Sequence, residues 1–220
     1  MNIRHLITVV ILLLAISCSK SPIELYDLAE QELKQDNSNL AINNLKLLIS
    51  KHPNDSLASK AQYKLASVYL NWEDQISLGI EALKNTVSNY PKTIHAKQAQ
   101  KEIDRFPQFL LDKGESLRKQ KKLKESVDHL MYLTNYYSNS EIAPKGQYML
   151  GDVYMNDFRD FTTAIQEYRK VIENYNGSSQ EPHALFMIGY IYANVINDTK
   201  SAKLEYEKFI KRFSSHELAP

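Results

Sequence analysis

The chain has a single cysteine, Cys18, in 220 residues. One thiol cannot close an internal disulfide, and a thiolate-rich metal site is excluded with it. Glycine and proline are scarce too, at 6 and 7 residues. A sheet-rich fold needs many tight turns, so this shortage argues against one. The plentiful Leu, Ala, Lys, Glu and Gln favour helix. Neither sign of charge dominates, with 27 basic residues against 26 acidic ones. A sequence-independent nucleic-acid binder needs a basic surface to displace counterions, so nucleic acid is not an expected partner. The apolar run LITVVILLLAI, Leu6 to Ile16, is far shorter than the roughly 20 residues of a membrane span.

Sequence signatures of catalysis are missing as well. There is no GxGxxG, P-loop, GxSxG or HExxH. His5, His52, His95, His129, His183 and His216 are scattered, and no two have the i, i+4 spacing with a carboxylate that a helical zinc site uses. The acidic residues are evenly spread. The expectation is a non-enzymatic protein with no cofactor and no metal. The NxS/T triplets at Asn54, Asn176 and Asn197 read as turns.

What is present begins with the N-terminus. A basic start, MNIRH, precedes the short apolar core, and the stretch ends in AISC. That order is an export signal. It resembles a bacterial lipobox, with Ser17 as the small residue before the cysteine and Ala15 where leucine is more usual. The resemblance implies a lipoprotein signal peptide over 1–17, a lipidated Cys18 and a tether over 18–22. Several acyl chains anchor durably, because each buried methylene adds about 0.8 kcal/mol. Ser19, where an acidic residue would signal retention, implies the periplasmic face of the outer membrane. Lys20 and Ser21 resemble the inner-membrane retention signal of other bacteria. From Cys18 to Ile23 the chain reaches under about 20 Å when extended, so the first helix is expected close to the bilayer.

The rest of the chain repeats itself. His52, Tyr90, Tyr137, Tyr175 and Phe213 each close a helical segment, at spacings of 38, 47, 38 and 38. Pro144, Pro182 and Pro220 fall 38 apart. The segments QYKLASVYLN (62–71), QYMLGDVYMN (147–156) and LFMIGYIYAN (185–194) align without gaps. Each carries a small residue with tyrosine three later: Ala66 and Tyr69, Gly151 and Tyr154, Gly189 and Tyr192. A second small residue, Gly79, Ala164 or Ala202, follows thirteen residues on, and then a larger one, Leu83, Tyr168 or Tyr206. Two helices in close contact explain the pattern: small residues admit the neighbouring backbone, and large ones fill the space beside them. Asn71, Asn156 and Asn194 are expected to end the first helix of each pair in a left-handed conformation. Asp160 and Asp198 are expected to cap the second.

This pattern resembles tetratricopeptide repeats. The resemblance covers about 23–213 and implies an all-α solenoid of about five helix-turn-helix units in a right-handed superhelix, within a repeat domain over 23–220. Ala29 with Ala41, and Gly114 with Ser126, hold the small positions of the two less regular units. An irregular insertion near 93–107, where Pro107 breaks or begins a helix, accounts for the 47-residue spacing. SSHELAP at 214–220 copies SNSEIAP at 138–144, which opens a unit, so either a further capping helix is expected after it or the open end is a docking site for another chain.

In that family the first helix of each pair lines a groove. Carrying its positions across gives Tyr26, Tyr63, Leu111, Tyr148 and Phe186, and one turn on Glu30, Ser67, Glu115, Asp152 and Tyr190. The resemblance implies an aromatic floor with a partly acidic edge, suited to a peptide or partner helix. Packing on the neighbouring helix accounts for the same aromatics equally well. RKQKKLK (118–124) is a solvated turn or a contact for anionic lipid, and Trp72 is expected to pack within its repeat. The tether and repeats together resemble the BamD-like family of outer-membrane assembly lipoproteins. That implies a membrane-anchored scaffold whose partners are envelope proteins, subunits of the β-barrel insertase. The alternative resemblance is to YbgF-like coordinators of Tol–Pal and cell-wall synthesis.

Overall fold

In the computed structural model, which describes residues 20–219, the chain forms eleven α-helices and no strand among the described residues. The signal peptide expected over 1–17 and Cys18 lie outside the described residues. The chain divides into two compact units, one ending at Asp104 and the other beginning at Arg105.

The first unit holds α1 (Pro22–Lys34), α2 (Ser38–Lys51), α3 (Ser56–Asn71), α4 (Ile76–Asn89) and α5 (Ile94–Asp104). A capping box starts α1: the Glu24 N–H donates to Ser21 Oγ at 3.3 Å, and the Ser21 N–H donates to Glu24 Oε2 at 2.7 Å. These bonds hold the Glu24 carboxyl below the usual range. Leu25, Tyr26, Ala29 and Leu33 form the buried stripe of α1, facing Ala41, Ile42, Leu45 and Leu48 of α2. Each fully buried leucine on such a stripe contributes about 1.5–3 kcal/mol. Asp55 caps α3 by accepting from the Leu57 N–H at 2.8 Å. Within the insertion expected near 93–107, residues 94–104 form a helix, and the chain breaks at Arg105 before Pro107 begins the next. Thr93 Oγ1 accepts from the Ala96 N–H to start α5, which buries only Ala96 and Ala99.

The second unit holds α6 (Phe106–Lys119), α7 (Leu123–Tyr136), α8 (Ala143–Asp152), α9 (Phe161–Asn174), α10 (Glu181–Ile191) and α11 (Thr199–Arg212). Pro107 sits in the first turn of α6, where its missing N–H costs nothing. Helices α8 and α10 continue into π-helical turns, Val153–Phe158 and Tyr192–Ile196. Asp160 and Asp198 cap the helices that follow, each accepting a backbone N–H at 3.0 Å. Gly151 is required by close approach, and Gly189 meets a similar contact with a ring that has room to yield. A Cβ on Gly151 would stand 2.5 Å from the Tyr168 ring, and one on Gly189 2.8 Å from the Tyr206 ring.

Two features recur in every repeat. His52, Tyr90, Tyr137, Tyr175 and Phe213 are the C-caps of α2, α4, α7, α9 and α11, with φ between −129° and −132°. Each pair of helices also turns through one left-handed residue: Asp36, Asp74, Lys121, Arg159 and Asn197, with φ from 53° to 62°. The expectation for Asn71, Asn156 and Asn194 is corrected here. Asn71 is the last residue of α3, and the other two lie inside the π-helical turns, three residues before the left-handed position. Trp72 is 45% exposed, so its ring is only partly packed.

Candidate partner-binding face

The sequence-derived groove positions fall on α1, α3, α6, α8 and α10, the first helices of the five pairs. In the first unit, Tyr26 is 8% exposed, and Lys60 Nζ stands 4.4 Å from its ring centroid. Burial, then Glu30, raises its pKa well above the ordinary phenol value. Glu30 is held by Lys64 at 2.9 Å. Tyr63 is half-buried and donates to Glu102 of α5. Burial and that carboxylate push its pKa up to about 12. His95 lies beside it, with ring centroids 6.2 Å apart, and shares a 3.0 Å hydrogen bond with Ser59. Ser59 is buried, so this serine–histidine pair clasps α5 to α3 and offers no open nucleophile. The Ser67 backbone and hydroxyl oxygens both accept from Asn71.

In the second unit, Leu111 is 1% exposed and belongs to the core. Leu111 and Tyr26 therefore act mainly in packing, which corrects their place on an open groove floor. Glu115 pairs with Lys119 at 2.8 Å on the same helix. Tyr148 is half-buried between Tyr168 and His183, with ring centroids at 5.2 and 6.4 Å. Burial, then Asp152, pushes its pKa up to about 12. Asp152 accepts from the Tyr168 hydroxyl at 2.6 Å, and burial raises its pKa above the usual aspartate value. Phe186 packs on Tyr206 and Phe209 at 5.6 and 5.9 Å. Tyr190 is 38% exposed and is the groove candidate most open to solvent. The face that remains is formed by Tyr148, Asp152, Phe186 and Tyr190 on α8 and α10.

An ion cluster beside Asp152 was not singled out from the sequence. Arg118 Nε donates to Asp157 at 2.6 Å and its Nη2 to the Asp152 carbonyl at 3.2 Å, while Lys121 reaches Asp157 at 3.1 Å. Burial opposes the Asp157 charge, but Arg118 and Lys121 overcome it and hold its pKa below the ordinary value. Two cations of the RKQKKLK turn are thus paired within the chain, Arg118 largely covered and Lys121 exposed. The π-helical turn after α8 is what brings Asp157 to them. Among the described residues there is no cluster of His, Cys, Asp and Glu able to hold a metal, and no helix long and apolar enough to cross a membrane.

Paired helices, small residues at their crossings and a common cap that recurs at 38, 47, 38 and 38 residues define a tetratricopeptide-repeat protein. A tetratricopeptide profile matches residues 146–178 and 183–216. The profile of the family described as outer membrane lipoprotein, YfiO, matches residues 19–153, and the chain belongs to that family. None of the curated proteins matches the sequence. Similar solved structures include MamA, at 18% identity, covering 84% of this chain and 94% of that one, with a TM-score of 0.40. A MamA fragment from Desulfovibrio magneticus is 16% identical, covering 90% and 98%, with a TM-score of 0.37. A thermophilic TPR protein of Thermus thermophilus is 14% identical, covering 89% and 93%, with a TM-score of 0.34.

Proposed function

We propose that this protein is a membrane-anchored, non-enzymatic scaffold in the assembly of outer-membrane β-barrel proteins. Residues 1–17 direct export, Cys18 is lipidated, residues 18–22 tether the chain, and the repeats over 23–220 present a face to envelope proteins at the periplasmic side of the outer membrane. The family match over 19–153 is the observation that carries this reading. The lipobox ending at Cys18, directly before that match, supports the anchor. The chemistry of the α8–α10 face supports an adaptor. Tyr148 is half-buried, Tyr190 is open to solvent and Asp152 is already hydrogen-bonded to Tyr168, so the face offers shape and aromatic area to a partner and no poised catalytic group.

A photo-crosslinker at Tyr190 in intact cells tests the reading, because that side chain is open to solvent on the face in question. Adducts with β-barrel insertase subunits or nascent barrels support it. Adducts confined to Tol–Pal or cell-wall proteins replace it with the YbgF-like role. Cys18→Ser tests the anchor separately: the protein should leave the membrane fraction and lose its acyl mass.

A further inference from the structure

The seams between repeats provide an internal comparison. In each seam inside one compact unit, the second helices of two successive pairs flank the first helix that lies between them. In the seam of α2, α3 and α4, Lys46 stands over Tyr69, with Nζ 5.7 Å from the ring centroid. In the seam of α9, α10 and α11, Arg169 takes the place of Lys46, six residues before the closing aromatic, and Tyr192 takes the place of Tyr69. Arg169 Nη2 donates to Glu205 at 3.0 Å. Burial opposes the Arg169 charge, but Glu205 and then Tyr192 overcome it, so its pKa rises above the ordinary value. Both seams are closed by a cation from the chain itself, set against a tyrosine.

The seam of α7, α8 and α9 breaks this pattern. Met131 stands six residues before Tyr137, where the other seams have Lys46 and Arg169. Tyr154 keeps the tyrosine position, and Glu167 keeps that of Glu205. Among the described residues no lysine or arginine stands over the Tyr154 ring; Lys170 of α9 lines the cleft and acts on the Tyr154 hydroxyl from a distance. Glu167 is held by Lys170 of its own helix at 2.7 Å and by the Gln147 amide at 2.6 Å. Glu205, by contrast, takes two cations, Arg169 and Lys208. Where the bridge would be, there is a cleft of about 540 Å³, within the range of small-ligand sites, roughly 300–1,000 Å³. Asn135, Asn139 and Asn174 line it, and none of their side-chain amides bonds to the protein among the described residues. The matching positions in the closed seam are Glu173, Gly177 and Arg212.

We propose that this cleft receives an arginine or lysine side chain from a partner polypeptide, placed over Tyr154 and against Glu167, with the free amides bonding to the partner's backbone. Free amides suit a sugar equally well. What this seam lacks beside its siblings, however, is the cation that the preceding second helix supplies where Met131 stands, which a neutral sugar cannot replace; Lys170 also lines the cleft but is already held on Glu167. The cleft uses Gln147, Leu150 and Tyr154 of α8 and its π-helical extension, a different face from Tyr148 and Asp152. The inference therefore does not depend on the lipid anchor or on the α8–α10 face.

The test is a titration of the purified, ¹⁵N-labelled full-length protein with acetyl-Gly-Arg-Gly-amide. Its citrulline counterpart, of the same shape without the charge, and the disaccharide chitobiose are the comparison probes. The expected result is that the arginine peptide shifts the side-chain amides of Asn135, Asn174 and Gln147, with citrulline weaker by about tenfold. Met131→Arg should abolish binding, because the chain then supplies its own cation as Arg169 does, and the variant should stay folded for the same reason. Glu167→Gln should weaken binding without removing it. The proposal is overturned if citrulline binds as well as arginine, if chitobiose shifts these amides and the arginine peptide does not, or if Met131→Arg binds like the parent.

Discussion

Replacing Gly151 by alanine sets two effects of known size against each other. Alanine is the better helix former by about 1 kcal/mol. The new Cβ would lie 2.5, 2.6 and 2.8 Å from Cε1, Cδ1 and Cζ of Tyr168, whereas carbon contacts are favourable at about 3.5–4.0 Å. Tyr168 cannot yield easily. It is fully buried, its ring packs on Tyr148, and its hydroxyl donates to Asp152 at 2.6 Å. Overpacking a tight core costs about 1–3 kcal/mol, and releasing a hydrogen bond to a charged group costs about 1.5–3 kcal/mol. The clash wins, with a net loss of about 3 kcal/mol. Gly189→Ala is the control. There the ring of Tyr206 lies 2.8, 2.9 and 3.2 Å from the added carbon, but it is half-exposed and can swing outward. Its cost should stay within about 1 kcal/mol of zero. Repeat arrays need not unfold as one block, so native-state hydrogen exchange of α8 and α9 amides is the appropriate assay. If Gly151→Ala were as stable as the parent, or less damaging than Gly189→Ala, the claim that close packing requires Gly151 would fail.

Three further outcomes follow from buried charges. Burial raises the Asp152 pKa above 3.8, despite the Tyr168 bond and Arg118. The folded protein thus binds this proton more tightly than the unfolded chain. The associated stability is present at low pH and lost as pH rises through the raised value. Asp152→Asn should therefore stabilise the protein at about pH 7 and change little at about pH 3, as read from denaturant midpoints. Asp157 has the opposite sign. Arg118 and Lys121 hold its pKa below 3.8 against burial, so its stability is present above that value and lost on acidification. Arg118→Met should cost about 2 kcal/mol at neutral pH and flatten the acid side of the stability profile. Glu181 is almost fully buried, held by Arg212 of α11 and by the Gly177 N–H at 2.7 Å. Arg212→Ala strands that carboxylate and should cost about 3 kcal/mol, visible as faster hydrogen exchange in α10 and α11.

The repeat was legible in the sequence because one physical task recurs with one residue type. An aromatic or histidine closes each second helix, and all five such residues share the same cap conformation. The left-handed turns recur at the same spacing, yet they were read three residues too early. They are filled by Asp, Asp, Lys, Arg and Asn; Lys and Arg carry no sequence signal for that conformation, and Asp and Asn serve equally as caps and ordinary turn residues. Helix α5 escaped notice because it buries two alanines and little else, leaving almost no apolar period to see. The groove was harder for a different reason. A bulky residue at a fixed offset on a first helix serves equally as a floor for a partner or as core. Leu111 and Tyr26 became core while Tyr190 stayed open, and the difference lies in neighbours that a single repeat does not encode. The seam at Met131 reverses this limit. Its significance comes from comparison between repeats. Where two copies spend a cation to close a seam and a third has methionine, the third seam has been left open at the position that packing alone would fill.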